Sequence, residues 1–319
     1  MKALQPGPDL TLTEARAIMD RAIERTRRFK LAGTIVIMDL GANLVCLSRM
    51  STSPASAWIA RGKAYLTAAR RVNLTETSIR WHERPFNNPN WARMVQEPVF
   101  PGEGGMLIRR DGRAIGAIAT GEGIGPYDEI PGVDPGEFEH DGVRGNAEDV
   151  VIAYALGIPY TDQHTRTTDR PAREGPLRGR PGNECRDDLP HSLDVARRYA
   201  DRALGLAQQQ GFALGVAVVD ETGLVMQMDR MDGAPPGSPD LAEARAATAL
   251  VFQRPSLEVT RTTPPHRLAR VNEIVHFQIL DGGGGAPIVR EGRIVGAVGV
   301  FGAISDVDAD ALARAAAAG

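Results

Sequence analysis

Two arginines stand at equivalent places in the two halves of this 319-residue sequence. Arg49 follows a strand-like apolar run in the first half, and Arg230 follows a matching run in the second. Because a guanidinium group can hold a carboxylate or propionate in a bidentate fork, the pair predicts binding of an anionic ligand. An ion pair at the rim of a sheet would explain both arginines equally well, so the two interpretations stay open.

A second pair of cations lies in a helical segment of each half. Lys63 belongs to the first half, and Arg245 occupies the corresponding region of the second. If this helix lines a cleft, the two cations would attract an anionic ligand. The alternative is that both charges are solvated on an exposed helix face.

Two histidines are further candidates for ligand binding. His276 comes just before the glycine run 282–285, where a ligand could approach the backbone closely. His191 is next to the predicted start of a helix, and His266, after Pro264-Pro265, is predicted to lie on a loop. Because a lone histidine is more often structural than a ligand, each of them also has a structural interpretation.

The first half contains an acidic insertion that the second half lacks. Glu139 and His140 stand near its end, in the segment 136–141, and with His276 they are the candidates for acid–base catalysis. A solvated acidic loop is the alternative. No His-x-x-x-His pair and no Cys/His spacing marks a zinc site, so no metal site is predicted.

The overall charge argues against nucleic acid and membrane surfaces as partners. The chain has 37 Lys and Arg against 40 Asp and Glu, a formal net charge of −3, which provides no basic field for either. No apolar stretch approaches the roughly 20 residues that span a bilayer. The two cysteines, Cys46 and Cys185, form no CxxC motif, and the first residues do not resemble a signal peptide. We therefore expect a soluble cytoplasmic protein.

The sequence contains two copies of one pattern, and these copies determine where the candidate residues lie in the predicted fold. The run 35–39 recurs as 216–220, with its aspartate shifted by 181 residues, and the run 111–118 recurs as 291–298, with its glycine shifted by 180. Register kept over so long a stretch indicates a tandem duplication. The copies are predicted at 1–160 and 191–319, joined by a Pro/Gly/Arg-rich linker at 161–190.

The residue pattern of each copy predicts the same order of elements: a helix, a hairpin, a helix, a second hairpin and a last helix. The first hairpin follows Asp39 or Asp220, whose carboxylates are expected to cap the turn. The last helices are predicted at Ala147–Leu156 and Val307–Ala318. Consecutive hairpins favour an α/β protein of the α+β kind, in which a mainly antiparallel sheet is flanked by helices.

Several segments carry a resemblance to a known family. They are the capped helix start 10–15, the hairpin 218–234, the helical segment 245–249 and the final element 284–303. On these motifs the sequence resembles the GlcG/HbpS-like proteins, also called haem-degrading or PduO C-terminal-like domains. The second copy matches almost end to end, although Phe301 stands where it would carry the serine of the family's Gly-x-Ser-Gly. In the first copy, Ala119-Thr120-Gly121-Glu122 replaces this motif.

The resemblance implies two tandem profilin/PAS-like domains, self-association into a homo-oligomer, and haem or another small planar ligand as the bound molecule. His191 lies near the place where some members of the family carry a haem-binding histidine. We therefore expect a haem-binding protein in which Arg49, Lys63, Arg230 and Arg245 hold the ligand's anionic groups. The alternative is a cofactor-independent isomerase or lyase acting on a small oxygenated or aromatic metabolite.

Overall fold

The computed structural model of the protein describes residues 9–28, 32–50, 55–74, 76–77, 100, 102–121, 139–140, 143–144, 147–159, 193–275 and 277–319. In chain order the elements are α1 (Leu12–Arg28), β1 (Thr34–Asp39), β2 (Leu44–Arg49), α2 (Ala55–Arg70), β3 (Gly105–Arg110), β4 (Arg113–Gly121), β5 (Glu139–His140), β6 (Val143–Arg144), α3 (Ala147–Leu156), α4 (Leu193–Gln209), β7 (Leu214–Asp220), β8 (Val225–Arg230), α5 (Ser238–Phe252), α6 (Ser256–Thr262), α7 (Pro265–Asn272), β9 (Gly285–Arg290), β10 (Arg293–Gly302) and α8 (Asp306–Ala317). The predicted class, helices with a mainly antiparallel sheet in two tandem copies, is confirmed.

The chain divides into two compact units. The N-terminal unit comprises Thr13–Asn43 together with Arg49–Arg186, and its strands are ordered β3-β4-β1 with antiparallel neighbours. Helix α2 packs on β4 and β1, and α3 packs on β3 and β4. Both helices therefore contact the same part of the sheet, and a cation of α2 can meet the first turn of α3.

The C-terminal unit comprises Met1–Leu12, Leu44–Ser48 and Asp187–Gly319. Its strands are ordered β2-β8-β7-β10-β9, again with antiparallel neighbours. One face of this sheet packs against α4 and α8, and the other packs against α5. Because both faces are covered, alternate residues of β7 are buried on opposite sides, which explains why the strand is an unbroken apolar run.

Tight turns close the second hairpin of each copy. Asp111 and Gly112 have φ angles of 51° and 78°, and Glu291 and Gly292 have φ angles of 51° and 75°. Two consecutive positive φ angles define a type I′ turn, whose twist matches that of the flanking strands. Both hairpins lie where the sequence predicted them.

One strand of the C-terminal unit comes from the first copy of the sequence. Strand β2 pairs with β8, with Leu47 opposite Met228. The buried Ser48 Oγ donates to Gln227 Oε1 at 2.7 Å, and Gln227 Nε2 donates to Asp229 Oδ2 at 2.8 Å. A compact unit thus draws on both copies, although the copies are separate in sequence. The predicted boundaries 1–160 and 191–319 stay a prediction, and the linker 161–190 lies outside the described residues.

The segment after Pro264 differs from the sequence prediction. Helix α7 begins at Pro265 and contains His266, so the prediction that this histidine lies on a loop is wrong. Proline at the first position of a helix needs no hydrogen-bonded N–H and has a suitable φ angle, which is why Pro264-Pro265 starts a helix. Within the described part of the chain, no helix has the length and apolar character needed to cross a bilayer.

Candidate functional site

Both cations of the second helices are buried. Lys63 on α2 is 8% exposed and Arg245 on α5 is 7% exposed. These two charges therefore do not lie on a solvated helix face, which was the alternative to a ligand-binding role. A buried charge needs a partner of opposite sign or a set of hydrogen bonds, and each of the two cations has one.

In the N-terminal unit the partner is Glu148, in the first turn of α3. Lys63 Nζ donates to Glu148 Oε2 at 2.6 Å. Burial raises the pKa of the Glu148 carboxyl to about 7; Lys63 lowers this pKa in part, and Asp149 and Glu103 raise it further. A carboxyl group with a pKa near neutrality can take up or release a proton under ordinary conditions.

Gly104 brings a third group to this pair. Its N–H donates to Asp149 Oδ1 at 2.8 Å, and its φ angle of 77° favours glycine. A Cβ atom at Gly104 would lie 2.5 Å from Glu148 Oε2 and 2.8 Å from Thr120 Oγ1. The carboxylate and the hydroxyl therefore flank the same point of the backbone.

Thr120 is the unusual member of this cluster. It is only 4% exposed, and its Oγ1 has no hydrogen-bond partner among the described residues. A buried hydroxyl left in this state costs about 1–3 kcal/mol. No contact among the described residues of the unit accounts for the hydroxyl.

In the C-terminal unit the partner of the cation is the glycine run. Arg245 Nη1 donates to Gly283 O at 2.7 Å and lies 3.4 Å from Asp306 Oδ1, at the start of α8. Gly283 N–H donates to the same Asp306 oxygen at 3.0 Å. Burial lowers the pKa of Arg245, and Asp306 and Asp281 act in the opposite direction. A guanidinium nevertheless keeps its proton at neutral pH.

The glycines of run 282–285 are required by contacts inside the protein. A Cβ atom at Gly282 would lie 2.1 Å from Arg245 Nη1, and one at Gly285 would lie 2.0 Å from Arg245 O. Gly282 N–H donates to Thr260 Oγ1 at 2.6 Å, and Gly285 N–H donates to Ser256 Oγ at 2.8 Å. These two amides are therefore occupied by the protein itself.

The two copies share this arrangement and differ at one strand position. In each copy a cation of the second helix meets a carboxylate from the first turn of the last helix, beside a glycine that precedes a strand. Thr120 N–H donates to Gly104 O at 2.9 Å, and Val300 N–H donates to Gly284 O at 2.8 Å, so Thr120 and Val300 are equivalent. Only the first copy has a hydroxyl there.

Two arginines and two aspartates among the residues singled out by the sequence lie at the ends of strands. Arg49 and Arg230 end β2 and β8 and are 3% and 9% exposed. The carboxylates of Asp39 and Asp220 accept hydrogen bonds from turn amides, such as Gly41 N at 2.8 Å and Thr222 N at 2.9 Å. The predicted capping role of these aspartates is confirmed.

The structure describes only part of the remaining candidate residues. His191 and His276 lie outside the described residues. Glu139 and His140 form β5, whose backbone pairs with β6, and their side chains are also outside the described part. Among the side chains that the structure does describe, no group of three or more His, Cys, Asp or Glu residues could hold a metal ion.

Sequence reasoning missed Glu148 as a site residue. Acidic residues are common in the first turn of a helix, because they interact favourably with the positive end of the helix dipole. The sequence therefore did not distinguish Glu148 from an ordinary first-turn residue. For Thr120 there was a signal, because it stands in the segment where the first copy departs from the family's Gly-x-Ser-Gly. That departure alone did not indicate a role.

The fold is a duplicated α+β domain, and in each copy a buried cation of the second helix meets a carboxylate from the last helix. The chain matches the family described as "Haem degrading protein HbpS-like" twice, over residues 10–129 and 192–318. The protein belongs to this HbpS-like family.

Individual relatives align with shorter stretches of the chain. An uncharacterized 15.0 kDa protein from the dhaT-dhaS intergenic region of Citrobacter freundii is 30% identical over 123 residues, which are 37% of this chain and 83% of that protein. Protein GlcG of Escherichia coli K12 is 32% identical over 94 residues, 30% of this chain and 68% of GlcG. The crystal structure of a double mutant of Streptomyces reticuli HbpS is 32% identical, covers 46% of this chain and 97% of that one, and has a TM-score of 0.37.

Proposed function

We propose that this protein binds haem or a similar small planar anionic ligand. The observation that carries the proposal is the match of both sequence copies to a family described as haem-degrading. The buried cations add support, because the molecule as a whole has a net charge of −3 and attraction for an anion must come from local groups.

The described residues fit the carboxylate groups of such a ligand. Lys63 and Arg245 are buried, as are Arg49 and Arg230 at the strand ends, and ammonium and guanidinium groups are the usual partners of propionates. The role of these four residues in binding is part of the proposal. Haem, when bound, would supply an iron centre, and the residues of this chain would bind and orient it.

The candidates for contact with the ligand's iron or ring are His191 and His276. Neutral imidazole is a common iron ligand; His191 lies at the start of the second copy, and His276 comes just before its glycine run 282–285. We further propose that the protein self-associates and works in the cytoplasm, as expected from the family resemblance and from the two cysteines outside any CxxC motif.

Titration of the purified protein with hemin tests this proposal. We expect a saturable shift of the Soret band, and a weaker or altered shift in the His191→Ala/His276→Ala double variant. His266→Ala is the matched control, because His266 is exposed on α7 and should leave the spectrum unchanged. No saturable shift in the wild type would contradict haem binding, and an unchanged shift in the double variant would exclude the two histidines.

A second candidate function is a cofactor-independent enzyme of the isomerase or lyase type, using acid–base chemistry on a small oxygenated or aromatic metabolite. The observation that favours it is the buried Glu148 carboxyl, whose pKa of about 7 suits proton transfer. Glu139, His140 and His276, the residues first expected to do this chemistry, keep that role as a prediction.

A further inference from the structure

We propose that the N-terminal unit holds a carboxylate of its ligand between Lys63 Nζ and Thr120 Oγ1, and that Glu148 takes up one proton when this carboxylate binds. The inference rests on the proposed function only for the anionic nature of the ligand. It adds the residues that form the site, the copy that contains it and the proton that accompanies binding.

The first support is the unsatisfied hydroxyl of Thr120. The residue is 96% buried and its Oγ1 has no partner among the described residues, although the equivalent Val300 shows that an apolar side chain fits this position of the fold. A hydroxyl kept where a valine would serve is explained if it donates a hydrogen bond to a bound molecule.

The second support is where this hydroxyl lies. Thr120 Oγ1 and Glu148 Oε2 are both within 2.8 Å of the position that a Cβ atom would take on Gly104. Lys63 Nζ bonds to the same Glu148 oxygen and keeps 10% of its side chain exposed. The hydroxyl and the carboxyl thus lie beside the same glycine, and the ammonium is bonded to that carboxyl; all three groups can donate hydrogen bonds when the carboxyl is protonated.

The third support is the balance of charge around the pair. The charges that act on Glu148 include those of Lys63, Asp149 and Glu103. With Glu148 ionised, an entering carboxylate would be repelled by the negative charges of Glu148, Asp149 and Glu103, which oppose the attraction of Lys63. Protonation of Glu148 removes one negative charge and turns a hydrogen-bond acceptor into a donor, so binding and proton uptake favour each other.

The described residues of the C-terminal unit do not provide the parts that such a site requires. Its cation is an arginine that keeps its proton, and Nη1 of Arg245 already donates to Gly283 O. Gly282 lies against the guanidinium, and Val300 offers no hydroxyl. A proton-linked carboxylate site is therefore expected once in each chain, in the N-terminal unit.

The experiment compares two probes, hemin and benzoate, with the full-length protein at pH 6 and pH 8. With a Glu148 pKa of about 7, linkage to one proton makes the affinity for benzoate about tenfold lower at pH 8 than at pH 6. Calorimetry with benzoate in two buffers of different ionisation enthalpy should show uptake of nearly one proton at pH 8. Glu148→Gln should make the affinity independent of pH.

A matched pair of variants tests the hydroxyl. Thr120→Val should weaken the binding of both probes about tenfold or more, the usual effect of losing a hydrogen bond to a charged group, while its melting temperature stays equal to or above that of the wild type. Val300→Thr places a hydroxyl at the equivalent position of the second copy and should leave binding unchanged.

The outcomes separate this inference from haem binding itself. If benzoate binds with the same affinity at both pH values, or if either probe binds equally well to Thr120→Val, the inference is overturned, and haem binding stands if the Soret shift is saturable. If benzoate follows the expected pattern and hemin does not bind, the inference stands without haem. If neither probe binds, both proposals are overturned. If Glu148→Gln fails to fold, the pH dependence of benzoate binding by the wild type and the affinity of Thr120→Val still decide whether the inference holds.

Discussion

Glu148 shows how burial can outweigh a partner of opposite charge. Lys63 lies 2.6 Å away and favours the ionised carboxylate, yet removal of the carboxyl from water has the larger effect and its pKa is raised from 4.5 to about 7. The folded protein therefore holds a proton that the unfolded chain releases between these two values. Stability must depend on pH through this residue.

The sign of that dependence is fixed by the direction of the shift. Because the folded-state pKa is the higher one, the folded state binds more protons between pH 4.5 and about 7, and the stabilisation present below this range is lost as the pH rises through it. We expect the stability of the wild type, relative to Glu148→Gln, to fall by up to about 3 kcal/mol over the window. Chemical unfolding of both proteins at pH 4.5, 6 and 8 measures the change, and a constant difference would contradict it.

At the scale of elements, α3 meets the start of β3 at a glycine. The φ angle of Gly104 is 77°, which favours glycine, and a Cβ atom at this position would contact Glu148 and Thr120. The helix and the strand can approach closely only without that atom. In this way the candidate site is formed by a contact between two elements rather than by a single residue.

Gly112 provides a control for the effect of space at Gly104. The two glycines have φ angles of 77° and 78°, but a Cβ atom at Gly112 would meet nothing within 4 Å. Gly112→Ala should therefore destabilise by about 1–2 kcal/mol through backbone strain alone. Gly104→Ala should add a further 1–3 kcal/mol, roughly, from overpacking. Chemical denaturation of both variants measures the loss of unfolding free energy. Equal losses in the two variants would contradict the overpacking expected at Gly104.

At the scale of the whole molecule, duplication did not produce two units that each contain one copy. The unit that contains the second copy also contains Leu44–Ser48 of the first. The buried hydrogen bonds from Ser48 to Gln227 and from Gln227 to Asp229 tie this strand in place. Loss of β2 would remove the Ser48 hydroxyl from the buried Gln227 Oε1, which is costly.

This pairing predicts how the chain behaves when the linker is cut. A protease site inserted within residues 161–190 would separate the two copies covalently. We expect the two fragments to elute together on size exclusion under native conditions, because β2 stays paired with β8. Separate elution of folded fragments would contradict this. As a control, the same cleavage in denaturant should release both fragments.

Local signals in the sequence placed most of the fold. Apolar periodicity and the Asp-Gly and Glu-Gly dipeptides fixed the second hairpins, and α3 has the bounds that were predicted for it. Lys63 and Arg245 were recognised as site candidates because they stand at corresponding places in a repeat. Glu148 and Asp306 were not, since an acidic residue in the first turn of a helix looks ordinary.

The sequence by itself determined that this protein is a tandem HbpS-like chain, because the repeat, the glycine turns and the family motifs depend on local spacing. Only the tertiary structure decided that Lys63 meets Glu148 across 85 positions of the chain, and Arg245 meets Gly283 across 38. Only the tertiary structure also left Thr120 buried without a partner. The physical reason is that burial and desolvation arise from contacts between distant segments, and residue type and spacing do not report them.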